Sequence, residues 1–162
     1  MEKGGQMNIS FGMIFSVILV IVFLTVAFYA IRTFLKMQEN VSIGIFLEDL
    51  QEDVNNLWHA EGSQEREYSL PSKIRYICFV DNTQEPQGRY QSFFEDVSFA
   101  AQSTNNLAFY PLRSSDIESV EIKNINLESI ISQGNPYCIE NVKGEVKLTL
   151  IKGISEALVR IE

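Results

Sequence analysis

From Phe11 to Ile31 the chain reads FGMIFSVILVIVFLTVAFYAI, without a charged side chain. These twenty-one residues, at about 1.5 Å each, make roughly 31 Å of helix, the thickness of a bilayer's hydrocarbon core. Lipid offers backbone amides no partners, so such a run is predicted to span as a helix. Beyond Ile31 the apolar positions become periodic. Ile43, Leu47, Leu50, Val54 and Leu57 recur at alternating spacings of four and three, with Phe46 and Trp58 beside them. This extends the helix to about His59, with Glu48, Asp49, Glu52 and Asp53 on its opposite face and Glu61-Gly62-Ser63 as its stop. The stripe can pack on the chain's own sheet or on neighbouring helices in a bundle. Gly44 weakens the helix by about 1 kcal/mol relative to alanine and marks a bend or a close helix contact.

After the helix the pattern turns polar, and Pro71 blocks helix continuation, so residues 61–72 are expected to be a linker. Alternation then takes over. Lys73 to Val80 is apolar on both faces and predicts a central strand. Asp81 to Gln91 reads as a loop, Ser92 to Phe99 as a helical turn, Asn106 to Leu112 as an edge strand ending at Pro111, and Ser119 to Ile125 as another strand. Leu127 to Ser132 predicts one helical turn before Gly134-Asn135-Pro136. Tyr137 to Glu140 and Glu145 to Ile151, joined by Asn141-Val142-Lys143-Gly144, read as a hairpin, and Ala157 to Ile161 as a last strand. A helix followed by strands predicts an α+β fold, with the helix laid on an antiparallel meander over residues 73–162.

The 162 residues leave enough for one modest domain outside the apolar run. With 13 Lys and Arg against 21 Asp and Glu, the net charge of −8 repels phosphate backbones, which argues against nucleic acid as a partner. Cys78 and Cys138 can form one bridge closing a loop of about sixty residues, worth roughly 4 kcal/mol and implying an oxidising compartment; the other reading is two buried thiols. The acidic quartet lacks the looped spacing of a calcium site and reads as a solvated face. His59 is the single histidine, and no nucleophile elbow, phosphate loop or zinc motif accompanies it. No catalytic residue, metal ligand or cofactor is therefore assigned. Asn40-Val41-Ser42 is a glycosylation sequon, but its place in a helix near the membrane argues against use.

The first residues, Met1-Glu2-Lys3-Gly4-Gly5-Gln6-Met7, form a short polar leader, but the apolar run after them is too long for a secretory signal and offers at best a weak small-x-small site at Val26 to Ala30. They resemble the class III signal sequence of type IV pilin-like proteins, particularly archaeal ones. The resemblance implies a leader of residues 1–5 cut between Gly5 and Gln6 by a prepilin peptidase-type enzyme, the alternative cut lying between Gly4 and Gly5. It also implies a long helix over 6–60 packed on a β-rich domain, and a structural subunit that associates with itself or with other pilin-like subunits. Ser10 stands at the fifth mature position, where many pilins carry glutamate, which implies a minor or divergent subunit. The assembly surface would be Phe11, Ile14, Phe15, Ile18, Ile21, Val22, Phe28, Ile43, Leu47, Leu50, Val54 and Leu57. The runs around Ser10 to Phe15 and Pro136 to Ile139 are also similar to uncharacterised archaeal single-span proteins, a similarity that implies no activity.

Lys3 on one side of the span nearly balances Arg32 and Lys36 on the other. The cysteines and the leader favour an outside domain. Two functions follow: a subunit of a type IV pilus-like surface filament or its assembly machinery, or a non-filamentous single-span protein with an extracytoplasmic partner-binding domain. A membrane-anchored enzyme is a third reading, which would need a cleft holding perturbed carboxylates.

Overall fold

A computed structural model of the chain describes residues 11–102 and 104–162; the expected leader, with Gly5 and Gln6, lies outside the described residues. One helix, α1, runs from Phe11 to Trp58, and two compact units divide between Gln38 and Glu39 within it. In the first unit every described residue, 11 to 38, is exposed. The hydroxyls of Thr25 and Thr33 donate back to the carbonyls of Ile21 and Tyr29 at 2.8 and 3.0 Å, so neither interrupts the apolar surface with an open donor.

The second unit begins with the remainder of α1 and contains two antiparallel sheets. Strand β1 (Gly62–Ser69) pairs along its length with β6 (Glu145–Lys152), which also holds the two-residue β7 (Arg160–Ile161). The other sheet has the order β4 (Ser119–Val120), β3 (Leu107–Tyr110), β2 (Tyr76–Phe79), β5 (Tyr137–Glu140). Helix α2 (Phe94–Ala100) follows a 3₁₀ turn at Gln91–Phe93, and α3 (Leu127–Ile131) is capped by the Asn126 side chain, which accepts from the Ser129 amide at 3.0 Å.

Ile43, Phe46, Leu50, Val54 and Leu57 of α1 are buried. They form one core with Ile77, Phe79, Leu107 and Phe109 from one sheet and Val146, Leu148 and Leu150 from the other. Each such side chain contributes about 1.5–3 kcal/mol by leaving water. On the opposite face of β2, Cys78 and Val80 join Val97 and Ala101, with Tyr76, Tyr90, Phe93 and Tyr110 around them. The strand is therefore buried on both sides and central, as its doubly apolar pattern indicates.

Four expectations change. The stretch 61–72 is no linker: its polar residues 62–69 make β1, whose only buried side chain is Tyr68. An outer strand needs one row of backbone partners and little apolar surface, so hydropathy does not reveal it. The segment ending at Pro111 is interior, because the short β4 pairs along it; Ser119 to Ile125 keeps a ladder at only two residues, and Ile125 bridges in parallel to Val159.

The hairpin is also revised. Strands β5 and β6 exist, but they belong to different sheets, and the single meander becomes two sheets. The reason lies in Asn141. Its Nδ2 donates to the carbonyls of Leu70, Pro71 and Ile74 at 3.4, 3.1 and 2.8 Å, and its Oδ1 accepts from the Gly144 amide at 2.9 Å. The turn, with Lys143 at φ 58° and Gly144 at φ 94°, is thereby tied to the corner after β1. That tie delivers β6 to β1 while β5 stays beside β2.

Candidate functional site

The sequence-derived surface positions divide into two sets. Phe11, Ile14, Phe15, Ile18, Ile21, Val22 and Phe28 lie in the first unit and are exposed, from 48% at Ile14 to 83% at Phe11. Exposure there is not limited to a stripe: Val17, Val20, Phe23, Leu24 and Val26 are equally open. Water would charge roughly 25 cal/mol for every Å² of such surface, whereas hydrocarbon charges nothing. The all-round apolar character thus makes this segment a match for lipid or for the interior of a helix bundle. The most apolar stretch of α1 has a mean hydropathy of 2.9, and by length and composition it can cross a membrane.

The second set, Ile43, Leu47, Leu50, Val54 and Leu57, behaves differently. Four of these are fully covered and Leu47 is half-buried, all against the domain's own sheets. Any contact between subunits through the apolar helix must then draw on residues 11–37 and on faces of the later helix outside this stripe.

Cys78 and Cys138 stand opposite each other in the β2–β5 register and form a disulfide. Both are buried, at 0% and 5% exposure, beneath α2 and the surrounding aromatic rings. The bond joins the first strand of its sheet to the edge strand sixty positions later.

The acidic quartet does not converge on one point. Asp53 accepts from the Tyr68 hydroxyl at 2.8 Å and pairs with Arg66 at 3.0 Å, while Glu48 and Glu52 are exposed. The recess there, about 290 Å³, is lined by Asp49, Glu52, Asp53, Arg66, Glu67 and Tyr68. Burial and the carboxylate of Asp53 together push the Tyr68 hydroxyl above its ordinary range. Across β1 and β6 the exposed Lys147 and Glu67 meet at 3.2 Å; the ammonium lowers the carboxyl, and the carboxylate raises the ammonium. Among the described residues no group of three or more His, Cys, Asp or Glu is placed to hold a metal ion. His59 is exposed and leans its ring on Trp58, with centroids 4.7 Å apart. Glu95 and Asp96 fall in the first turn of α2, and Asn40 donates to Asp116 at 2.9 Å.

Two positions escaped the sequence reading. Val41 and Ile45 are 56% and 53% exposed, on the helix face away from the buried stripe. Their spacing of four, continued by Glu48 and Glu52, was legible, but the buried periodicity beside it carries more apolar residues. No protein-family model, curated protein or solved structure matches this chain.

Proposed function

We propose that the protein is a structural subunit of a type IV pilus-like surface filament or of the machinery that assembles one, rather than an enzyme. The observation that carries this reading is the contrast within α1. Its first part is apolar and uncovered all round, while its second part forms the core of a disulfide-bonded β-domain. Such a subunit would reside in the bilayer through residues 11–31, with its domain outside. On assembly the same helix would exchange lipid for neighbouring helices, and van der Waals packing rather than loss of water would drive that step. The Lys3-Gly4-Gly5-Gln6 leader supports the reading because it resembles a prepilin peptidase substrate.

The test is a non-reducing intact mass of the protein isolated from its native cell surface, together with a search for it in sheared surface filaments. A mass starting at Gln6 and short by two hydrogens, from material in the sheared fraction, is the expected result. A mass starting at Met1, with the protein confined to membranes, overturns the filament reading. It leaves a resident single-span protein whose outer domain binds a partner.

A further inference from the structure

Strand β2 enters its sheet at Tyr76, and its antiparallel neighbours β3 and β5 leave it at Tyr110 and Glu140, so three connections gather at one end of the domain. The Arg75 amide donates to the Tyr110 carbonyl at 2.8 Å, and the Arg75 carbonyl accepts from the Asn141 amide at 2.8 Å. The ladder thus continues past the strands, and residues 71–75, 111–117 and 141–144 form the rim of that end. The same end receives α1. Lys73 pairs with Glu39, and Asn40 donates to Asp116 at 2.9 Å, all within the second unit.

The chain as a whole is acidic, with a net charge of −8, but this rim is not. It carries Lys73, Arg75, Arg113 and Lys143 against the single carboxylate of Asp116, and all four cations are exposed. Lys73 has Glu39; among the described residues Arg75, Arg113 and Lys143 have no ion-pair partner. Two of the connections set an apolar residue beside the cation, Leu112 before Arg113 and Val142 before Lys143, and Val142 is 56% exposed. Glu140 and Glu145 stand on the strands that flank the last turn, and Lys147 shares their recess.

We infer that this rim docks on the anionic headgroups of the membrane that the chain itself spans. The inference rests on the reading that residues 11–31 lie in a bilayer, and it holds for an unassembled filament subunit and for a resident single-span protein alike. From Ile31 to Glu39 the chain advances eight residues, about 12 Å as helix and no more than about 28 Å at full stretch. That limit applies at any angle between span and domain. Headgroups extend roughly 5–8 Å beyond the hydrocarbon, so the tether keeps the rim close to them. Cations at such a distance are drawn to anionic lipid, each by about fivefold in the docking equilibrium, and an apolar side chain beside them enters the interfacial layer.

The far end of the domain supplies the control. Helix α1 finishes at Trp58, nineteen residues and about 28 Å of helix beyond Glu39. There Lys152 donates to the Trp58 carbonyl at 2.6 Å, and Ile154 on the loop that follows is 88% exposed.

The test places a fluorescent amino acid at position 142, or in a second sample at position 154, of the full chain. Each is reconstituted in vesicles of phosphatidylcholine, or of phosphatidylcholine with one third phosphatidylglycerol, that contain a nitroxide-headgroup lipid as quencher. Quenching at position 142 is expected to be several-fold stronger in the anionic vesicles and to fall to the neutral level in about 1 M salt, where charges are screened beyond about 3 Å. Position 154 is expected to stay unquenched in both. R75Q with R113Q and K143Q is expected to weaken docking about a hundredfold and bring position 142 to the neutral level. A urea melt checks that this variant folds, and the salt series on the unaltered side chains decides the matter if it does not. Equal quenching at 142 in the two lipids, quenching there that survives salt, or equal quenching at 142 and 154 overturns the inference. Flotation of the vesicles after carbonate treatment scores the bilayer reading separately. Protein lost from the vesicles removes that reading and the docking with it, whereas retained protein with no preference for anionic lipid at position 142 overturns the docking alone.

Discussion

At the scale of single residues, a few polar side chains hold elements together that hydropathy alone would leave separate. The Tyr68 hydroxyl, on the outer strand β1, reaches Asp53 on the helix. Because the folded state keeps this phenol protonated above its usual range, its contribution is complete below about pH 10 and falls as pH rises through the folded value. The expected outcome is a urea midpoint that drops as pH rises from about 10 to about 12 in the parent and drops less in Tyr68→Phe. Equal slopes for the two proteins would remove Tyr68 from the account. Substituting both Cys78 and Cys138 by serine is expected to cost about 4 kcal/mol, the loop-closure term for their separation of 60 residues. Urea unfolding of the detergent-solubilised full chain, with and without reductant, measures it; a loss below about 1 kcal/mol would show that the unfolded chain gains little freedom.

The elements follow from different kinds of information. Helix α1 ends at Trp58, within a residue of the point its apolar spacing indicates, because periodicity over about four turns is a strong signal. Its two parts should respond differently to the same substitution. Leu50→Ala, in the core, is expected to lower domain stability by about 2–5 kcal/mol, whereas Ile18→Ala, at an exposed position outside the domain, should leave it within about 0.5 kcal/mol. Similar losses at both sites in a chemical melt would mean that residues 11–38 are buried in the folded chain. The β5–β6 turn is set by one side chain. Asn141→Ala strands the carbonyls of Leu70, Pro71 and Ile74, and is expected to cost about 1–3 kcal/mol. Hydrogen exchange should show the loss as faster exchange at the Gly144 amide, which donates to Asn141. Unchanged protection there would contradict the anchoring role.

For the whole molecule, the governing contrast lies within one helix. Residues 11–38 are exposed and residues from Glu39 onward belong to a folded domain. By length and composition that first segment is suited to a membrane or to a bundle of helices. Placing two charges at its centre, Ile18→Lys with Val22→Lys, is expected to cost about 5–7 kcal/mol of insertion free energy. Carbonate extraction of membranes should then find the variant in the soluble or aggregated fraction, where the parent stays with the lipid. A variant retained in membranes to the same extent would show that something other than the apolar run anchors the chain.

The amino-acid order by itself determined the features that depend on neighbours along the chain. These are the unbroken apolar run, the stripe from Ile43 to Leu57, the doubly apolar strand around Cys78, and the helical turn after Asn126. Each is a local pattern whose physical cause, period 3.6, period 2 or a cap, acts over a few residues. Tertiary structure decided what depends on partners far apart in sequence. It made a strand of the polar segment 62–69 because β6 offered it a full row of hydrogen bonds. It divided the expected meander into two sheets because Asn141 ties its turn to the corner after β1, seventy residues earlier. It paired Cys78 with Cys138 by setting them in register, and it placed the Ile43–Leu57 stripe of the helix inside the domain, leaving the face of Val41 and Ile45 uncovered. Hydropathy ranks how much a segment gains from leaving water; which surface covers it is settled only when the distant strands arrive.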